Sequence, residues 1–235
     1  MTKPIIKIPD TFMGVPVEGA MERVLSKDSQ KPNPITTPDT AQPGSGFVYI
    51  PEPNIYFANQ RTHLGKKWDE THEALKTERL RMPTIPEFAK TLKYLRDSNI
   101  EEYQELYKEI TEVRTPWRSE WIDAYFEKRK DGLYVLTGNK SKAEKLEDCL
   151  MKDKTPGINL DDWVSGKNIT SQGLPKTNIN NGGLYYWYPR DGKVAGFNAG
   201  FDRAVLSCNR DPSGGDSTLG VFAVKDNGGN ARQKS

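Results

Sequence analysis

The sequence predicts an α+β domain: two helices packed on short, mostly antiparallel strands with long loops between them. Three observations carry this. Helical periodicity is confined to an early stretch between residues 84 and 113. Aromatic and apolar runs of strand length follow, separated by Gly, Asn and Asp. Residues 184–224 then alternate apolar positions with small, polar and aromatic residues of every kind. An inward face cannot accept that mixture, because one unpaired buried polar group costs a few kcal/mol. A displayed face can.

Residues 1–46 are rich in Pro, Thr, Lys and Asp and show little periodicity. They read as an extended or flexible arm that could mediate self-association. The domain is expected over 47–225, with a loose polar tail at 226–235. Phe47–Phe57, interrupted by Pro51 and Pro53, reads as edge strands, since proline cannot donate to an inner ladder. Thr84 and Glu87 spell a capping box, with Pro86 tolerated in the first turn. Behind it, Ile85, Phe88, Leu92 and Leu95 form one apolar face. A second helix places Ile100, Tyr103, Leu106, Tyr107 and Ile110 on one side. Trp117, Trp121 and Tyr125 lie near a strand, and Gly132–Gly138 is another strand between glycine turns. Ser141 and Glu144 form a second capping box, which predicts a helix burying Ala143, Leu146 and Leu150. Residues 152–183 read as loop-rich, and 184–188, 194–197 and 219–224 as strands.

The chain has 235 residues, 35% of them hydrophobic and 28% charged, with a net charge of +2. Its mean hydropathy is −0.75. No basic stripe marks a nucleic-acid partner, and no apolar run approaches the roughly 20 residues of a membrane span. The amino terminus lacks the apolar core of a signal peptide. Cys149 and Cys208 do not make a disulfide framework; two free, mostly buried thiols are the favoured reading, one bridge the other.

The residues at both ends of the domain resemble a known family. Arg81-Met82-Pro83-Thr84 ahead of a capped helix is similar to the start of the first helix in prokaryotic C-type-lectin-fold domains. A Gly-led aromatic strand with Trp187 comes first in the C-terminal motif. Ala204, Leu206, Asn209-Arg210 and Pro212 follow, then the small and polar run Ser213–Thr218, then Leu219-Gly220-Val221-Phe222. This resembles the variable region of the proteins diversified by diversity-generating retroelements, which also occur in archaea and their viruses. The likeness covers about residues 80–224.

The resemblance implies a C-type lectin fold with a variable region over about 184–218. It implies a variable macromolecular ligand, a protein or cell-surface molecule, and no catalysis, cofactor or metal. In the family, adenines of the template are miscopied, and the favoured codons can yield Asn, Ser, Asp, Gly, Tyr or Arg but never Trp, Lys, Glu or Gln. Glu and Gln are absent from 184–224. By this filter Tyr186, Tyr188, Arg190, Asp191, Asn198, Asp202, Ser207, Asn209, Arg210, Ser213, Gly215, Asp216 and Ser217 are the candidate ligand-binding positions. Trp187 and Lys193 belong to the frame. With Trp187 placed in the core, strand alternation displays Tyr186 and Tyr188. Tyr186, Tyr188, Arg190 and Ser213 are then expected to share one wet patch.

Other chemistry finds little support. Glu52-Pro53-Asn54 spells a lectin calcium triplet but lies ahead of the first helix and lacks its partner motif. Calcium needs six to eight oxygens. His63 and His72 fit no zinc spacing, and no nucleotide or hydrolase motif occurs. Two alternatives stay open: a virion assembly protein that straps a neighbour with its arm, and a formylglycine-generating-type oxidase using Cys149 and Cys208.

Overall fold

The computed structural model describes residues 11–12, 15–16 and 46–228. The chain divides into two units, Met1–Thr40 and Ala41–Ser235. In the first, β1 (Thr11–Phe12) pairs antiparallel with β2 (Val15–Pro16). The rest of the expected arm up to residue 45 lies outside the described residues, as does the end of the tail from 229.

The second unit is α+β and mostly sheet. It opens with a hairpin of β3 (Phe47–Ile50) and β4 (Ile55–Ala58). Pro51 and Pro53 lie in its turn, so neither removes a ladder hydrogen bond. Both strands were expected at an edge; β4 is instead the middle strand, because the chain returns at its end to pair β13 (Val224–Asp226) against it. Asp226 is therefore part of the domain and not of the tail. Glu52-Pro53-Asn54 forms the hairpin turn, with Asn54 at φ 66° accepting a hydrogen bond from the Tyr49 hydroxyl at 2.7 Å.

Helix α1 (Trp68–Thr77) was not legible in the sequence. Its inward face is Trp68, Thr71, His72 and Leu75, two of them polar, so no apolar stripe announces it. Helix α2 (Ile85–Asp97) starts where the capping box places it. The Glu87 carboxylate accepts from the Thr84 amide at 2.8 Å and from the Thr84 hydroxyl at 2.9 Å. Arg81 grips Glu87 with two nitrogens at 2.7 Å and Asp226 at 2.6 Å, tying the start of α2 to the last strand. Helix α3 (Glu101–Thr111) buries Leu106 and Ile110, while Ile100 is exposed just ahead of it. The fully shielded Arg118 donates to the carbonyls of Lys108 and Glu112, a cation at the helix C-terminus where the dipole favours it.

The main sheet runs β7-β6-β5-β10-β11-β9-β8. Its strands are β5 (Arg118–Arg129), β6 (Gly132–Thr137), β7 (Lys142–Lys145), β8 (Lys154–Ile158), β9 (Leu184–Trp187), β10 (Lys193–Gly200) and β11 (Arg203–Arg210). Neighbours are antiparallel except β9 with β11 and the short β12 (Leu219–Gly220) with β5.

The helix expected after Ser141 is strand β7. Gly138, Asn139 and Lys140 all hold positive φ and fold the chain straight back onto β6. A tight turn followed by ladder pairing outcompetes the capping signal; Leu146 and Leu150 are buried as expected, but Ala143 is exposed. Residues 152–183, expected as loop, contain β8 and the short helix α4 (Leu160–Val164). Asn159 caps α4 by accepting the Asp162 amide at 2.9 Å.

One face of the sheet, the inner face, is covered by α2, α3 and α4. Phe88, Leu92, Leu95, Ile110 and Trp163 meet Ala195, Phe197, Ala199, Leu206 and Cys208 there. Trp163 stacks on Phe197 at 6.1 Å, and Phe88 tilts against the same ring at 5.5 Å. A second core joins α1 to part of the opposite face through Trp68, Leu75, Trp121, Val194 and Val221. Both indoles there are satisfied, Trp68 by the Ile122 carbonyl and Trp121 by the Lys66 carbonyl, each at 3.0 Å.

Candidate functional site

The site follows from strand register. Residues directly opposite each other in neighbouring strands point to the same side. On β10 and β11, Phe197 opposes Leu206 in the inner core, so Asn198 with Val205 and Gly196 with Ser207 face outward. On β9, Leu184 opposes Ala204 and Tyr186 opposes Leu206, which sends Tyr185 and Trp187 outward beside Val205 and Ser207. A bulge near the end of β11 brings Arg210 opposite Val194, on the outward side as well. The outer face therefore carries Tyr185, Trp187, Asn198, Val205, Ser207, Asn209 and Arg210 on three adjacent strands, with Trp117 at its border.

Two polar ladders hold this face in shape. Arg210 donates to the Ser119 hydroxyl at 2.8 Å and also contacts the Asn198 carboxamide oxygen, which the Ser119 hydroxyl shares. The same guanidinium lies over Trp121 at 5.3 Å and Trp117 at 5.8 Å. Ser207 donates to Asn209 at 2.9 Å. Arg203 covers the Tyr185 ring at 4.7 Å. At the hairpin between β10 and β11, a hollow of about 300 Å³ is lined by Trp117, Asn198, Phe201, Asp202, Arg203 and Val205. Phe201 stands 69% exposed at its rim, at φ 59°.

The loop before β12 adjoins the Arg210 end. Asp211 accepts the Ser213 amide and hydroxyl at 2.9 and 2.6 Å, and Lys193 pairs with it at 3.0 Å. These bonds hold the Asp211 carboxyl well below the usual range. Asp216 accepts the Thr218 amide and hydroxyl at 2.8 and 2.6 Å. The Trp68 amide donates to the Pro212 carbonyl and the Gly65 amide to the Leu219 carbonyl, which pins the loop to α1. The loop is thus exposed yet internally braced, leaving Ser213, Gly215 and Ser217 displayed.

Asn198, Asp202, Asn209 and Arg210 thus share or border the outer face, and Ser213, Gly215, Asp216 and Ser217 extend it; Ser207 points to that side but, contrary to expectation, is buried at 4% exposure beneath its neighbours. Tyr186 is the main correction. It is fully buried, and burial pushes its hydroxyl well above the usual tyrosine value. Placing Trp187 inward set the strand's parity off by one; Leu184 and Tyr186 are the inward residues, and Trp187 is half-buried on the outside. Tyr188, Arg190 and Asp191 lie elsewhere too. Asp153 accepts the Tyr188 amide at 2.7 Å and pairs with Arg190, while Asp191 accepts the Lys128 amide at 2.8 Å. These three brace the β9–β10 connection. The expected single patch of Tyr186, Tyr188, Arg190 and Ser213 does not form.

The sequence reading missed Trp117, Tyr185, Trp187 and Val205 as outer-face residues. Part of the signal was present: Leu206 and Cys208 flank Ser207 in alternation and fix that strand's parity, whereas Val205 lies in an unbroken apolar run with Ala204 and Leu206.

Beneath the face lies Glu120, fully buried, with neither carboxylate oxygen hydrogen-bonded. Burial pushes it up to about 8; Arg61, 3.7 Å away, pulls the other way without offsetting it. Both cysteines are free, Cys149 exposed and Cys208 buried. Burial raises the Cys208 thiol far from the reactive range. Among the described residues no cluster of His, Cys, Asp and Glu could hold a metal ion, and no helix is long and apolar enough to cross a membrane. Comparison with protein-family models, curated proteins and solved structures finds no match to this chain.

Proposed function

We propose that this chain is a non-enzymatic ligand-binding protein of the C-type lectin fold, whose outer sheet face is rewritten by a diversity-generating retroelement. One observation supports this reading above the rest. Adjacent strands gather Tyr185, Trp187, Asn198, Asn209 and Arg210 on one half-open face, while every second residue between them packs in the core. Such a surface gives aromatic contact area and hydrogen-bonding groups to a macromolecular ligand. It can change without disturbing the buried side. The exposed loop 213–217 enlarges it, and Arg210, clamped by Ser119 and Asn198, presents a fixed cation at its centre.

The placement refines the variable set. Asn198, Asp202, Asn209, Arg210, Ser213, Gly215, Asp216 and Ser217 stay in it, Tyr185 joins it, and the buried Tyr186 and Ser207 belong to the frame. The buried, unreactive Cys208 and the exposed Cys149 weigh against the oxidase. The test is to sequence this locus across a natural population. A reverse transcriptase and a near-copy of the 184–224 coding segment should lie nearby, differing from it at adenines. Substitutions should fall on the outer-face set. Variation spread equally over Leu184, Tyr186, Leu206 and Cys208 would overturn the reading.

A further inference from the structure

The hollow at the β10–β11 hairpin and the Arg210 guanidinium are neighbours. Asn198 and Trp117 line the hollow. Asn198 also holds the guanidinium through its Oδ1, and the same guanidinium lies over the Trp117 ring at 5.8 Å. Phe201 and Val205 make the hollow largely apolar. Gly200 leaves room for its floor, since a Cβ there would meet the Trp117 Cβ at 2.1 Å. Phe201 is the most exposed large hydrophobic side chain among the described residues.

Hydrogen-bond donors are left open at this end of the face. Arg210 spends Nη1 on Ser119 and Asn198, while its Nε and Nη2 have no hydrogen-bond partner among the described residues. Asn198 turns Oδ1 to Arg210 and Ser119, which leaves its Nδ2 open. These three nitrogens keep contact with solvent, unlike the orphaned Nε and Nη1 of the buried Arg118. Arg210 makes no ion pair among the described residues, whereas the other cations of the face are spent. Arg203 is held by Asp202, with Nε at 2.7 Å, and Lys193 by Asp211 at 3.0 Å. Two carboxyls act on Arg210 through space, Glu120 and Asp216. Glu120 points to the inner side, and burial keeps it protonated at neutral pH. Asp216 is turned to the Thr218 amide and hydroxyl.

A guanidinium taken half out of water without a counter-ion loses hydration that an anion can replace, and a planar carboxylate matches its fork. The geometry favours a single anion. Asp202 lines the hollow, Asp211 follows Arg210 in the chain, and Asp216 sits in the adjoining loop. A string of phosphates or sulfates needs several free cations and would be repelled by those carboxylates. The apolar hollow, one side chain away, calls for an aromatic or aliphatic group next to the charge. A protein segment with Glu or Asp beside a large apolar residue carries both.

Resting on the recognition reading of the outer face, we propose that this chain binds an acidic segment of a partner protein, with one carboxylate on Arg210 and Asn198 and the adjacent apolar side chain in the hollow of Trp117, Phe201 and Val205. The probe is the blocked dipeptide acetyl-Phe-Glu-amide, titrated into the isotope-labelled full chain at constant ionic strength. The Arg210 Nε–H and Trp117 indole N–H resonances should both shift saturably, with a dissociation constant in the millimolar range or tighter. Acetyl-Phe-Gln-amide has the shape without the charge, and acetyl-Ala-Glu-amide the charge without the ring; each should bind several-fold more weakly. Arg210→Gln should weaken the Phe-Glu probe about tenfold. Phe201→Ser, at an exposed position that folding tolerates, should weaken it several-fold. The proposal is overturned by equal binding of the Glu and Gln peptides, by an unchanged affinity in Phe201→Ser, or by inorganic phosphate saturating the same resonances more tightly. Its failure is separable from that of the retroelement reading. Charge-dependent binding supports this site even where the locus holds no template copy, and its absence overturns the site even where the copy is found.

Discussion

The two faces of the central sheet are built from the same strands and obey different rules. On the inner face Tyr186, Phe197, Leu206 and Cys208 are fully shielded beneath α2 and α4. On the outer face, one residue along in each strand, Tyr185, Trp187, Asn198 and Asn209 are half-buried. The backbone ladder is common to both, so strand pairing does not depend on the outward side chains. Stability resides in the packing of one side. The other side is apolar only where α1 covers it through Trp68, Trp121 and Val194; the rest is braced by the Arg210–Ser119–Asn198 cluster. A scaffold can accept many surfaces when the residues that change are not those that exclude water.

This contrast can be broken at its strongest point. Phe197→Ala removes a ring stacked between Phe88 and Trp163 and should cost about 3–5 kcal/mol, read as a fall in denaturation midpoint. Tyr186→Ala should behave alike despite its place in the stretch proposed to vary. A loss below about 1 kcal/mol would return Tyr186 to the surface.

The next largest effect concerns Glu120, which opposes Phe197 and so points to the inner side. Its folded pKa of about 8 lies above the unfolded value near 4.5, so the folded state holds a proton that the unfolded state has released. Its contribution is full below about pH 4.5 and is lost as pH rises through about 8. Glu120→Gln should therefore flatten the decline in stability between pH 5 and 9, by on the order of 4 kcal/mol. Parallel pH profiles for the two proteins would show that the buried carboxyl is ionised throughout.

Smaller still, Trp187→Ala should cost only about 1 kcal/mol while abolishing binding to any ligand selected on the outer face. A loss of 3 kcal/mol or more would place that indole in the core. The smallest effect sharpens the comparison from the other side. Replacing Asn209, Ser213 and Ser217 together should move the melting temperature little, since surface changes usually fall within about 0.5 kcal/mol each. A drop of many degrees would mark them as structural.

Much of this architecture was legible in the residues. Thr84 and Glu87 announce α2 because a capping box is a local arrangement needing no distant partner. The apolar stripe of α2 is legible for the same reason. Helix α1 was not, since Thr71 and His72 occupy its inward face, where the Thr71 hydroxyl donates to the Lys67 carbonyl and His72 finds Trp68 and Asp123 only once the chain has folded. Ser141 and Glu144 mimic a cap, yet three consecutive positive-φ residues and the open edge of β6 turn them into a strand.

The sequence by itself determined the class of fold, helices α2 and α3 and the stretch where mixed residues demand a solvent-facing side, because caps and periodicity act within a few residues. Only the tertiary structure decided which half of that stretch faces out. A strand's two faces are equivalent until a neighbour fixes the register. Here Leu184 against Ala204 and Tyr186 against Leu206 set it, turning Tyr186 inward and Trp187 to the light.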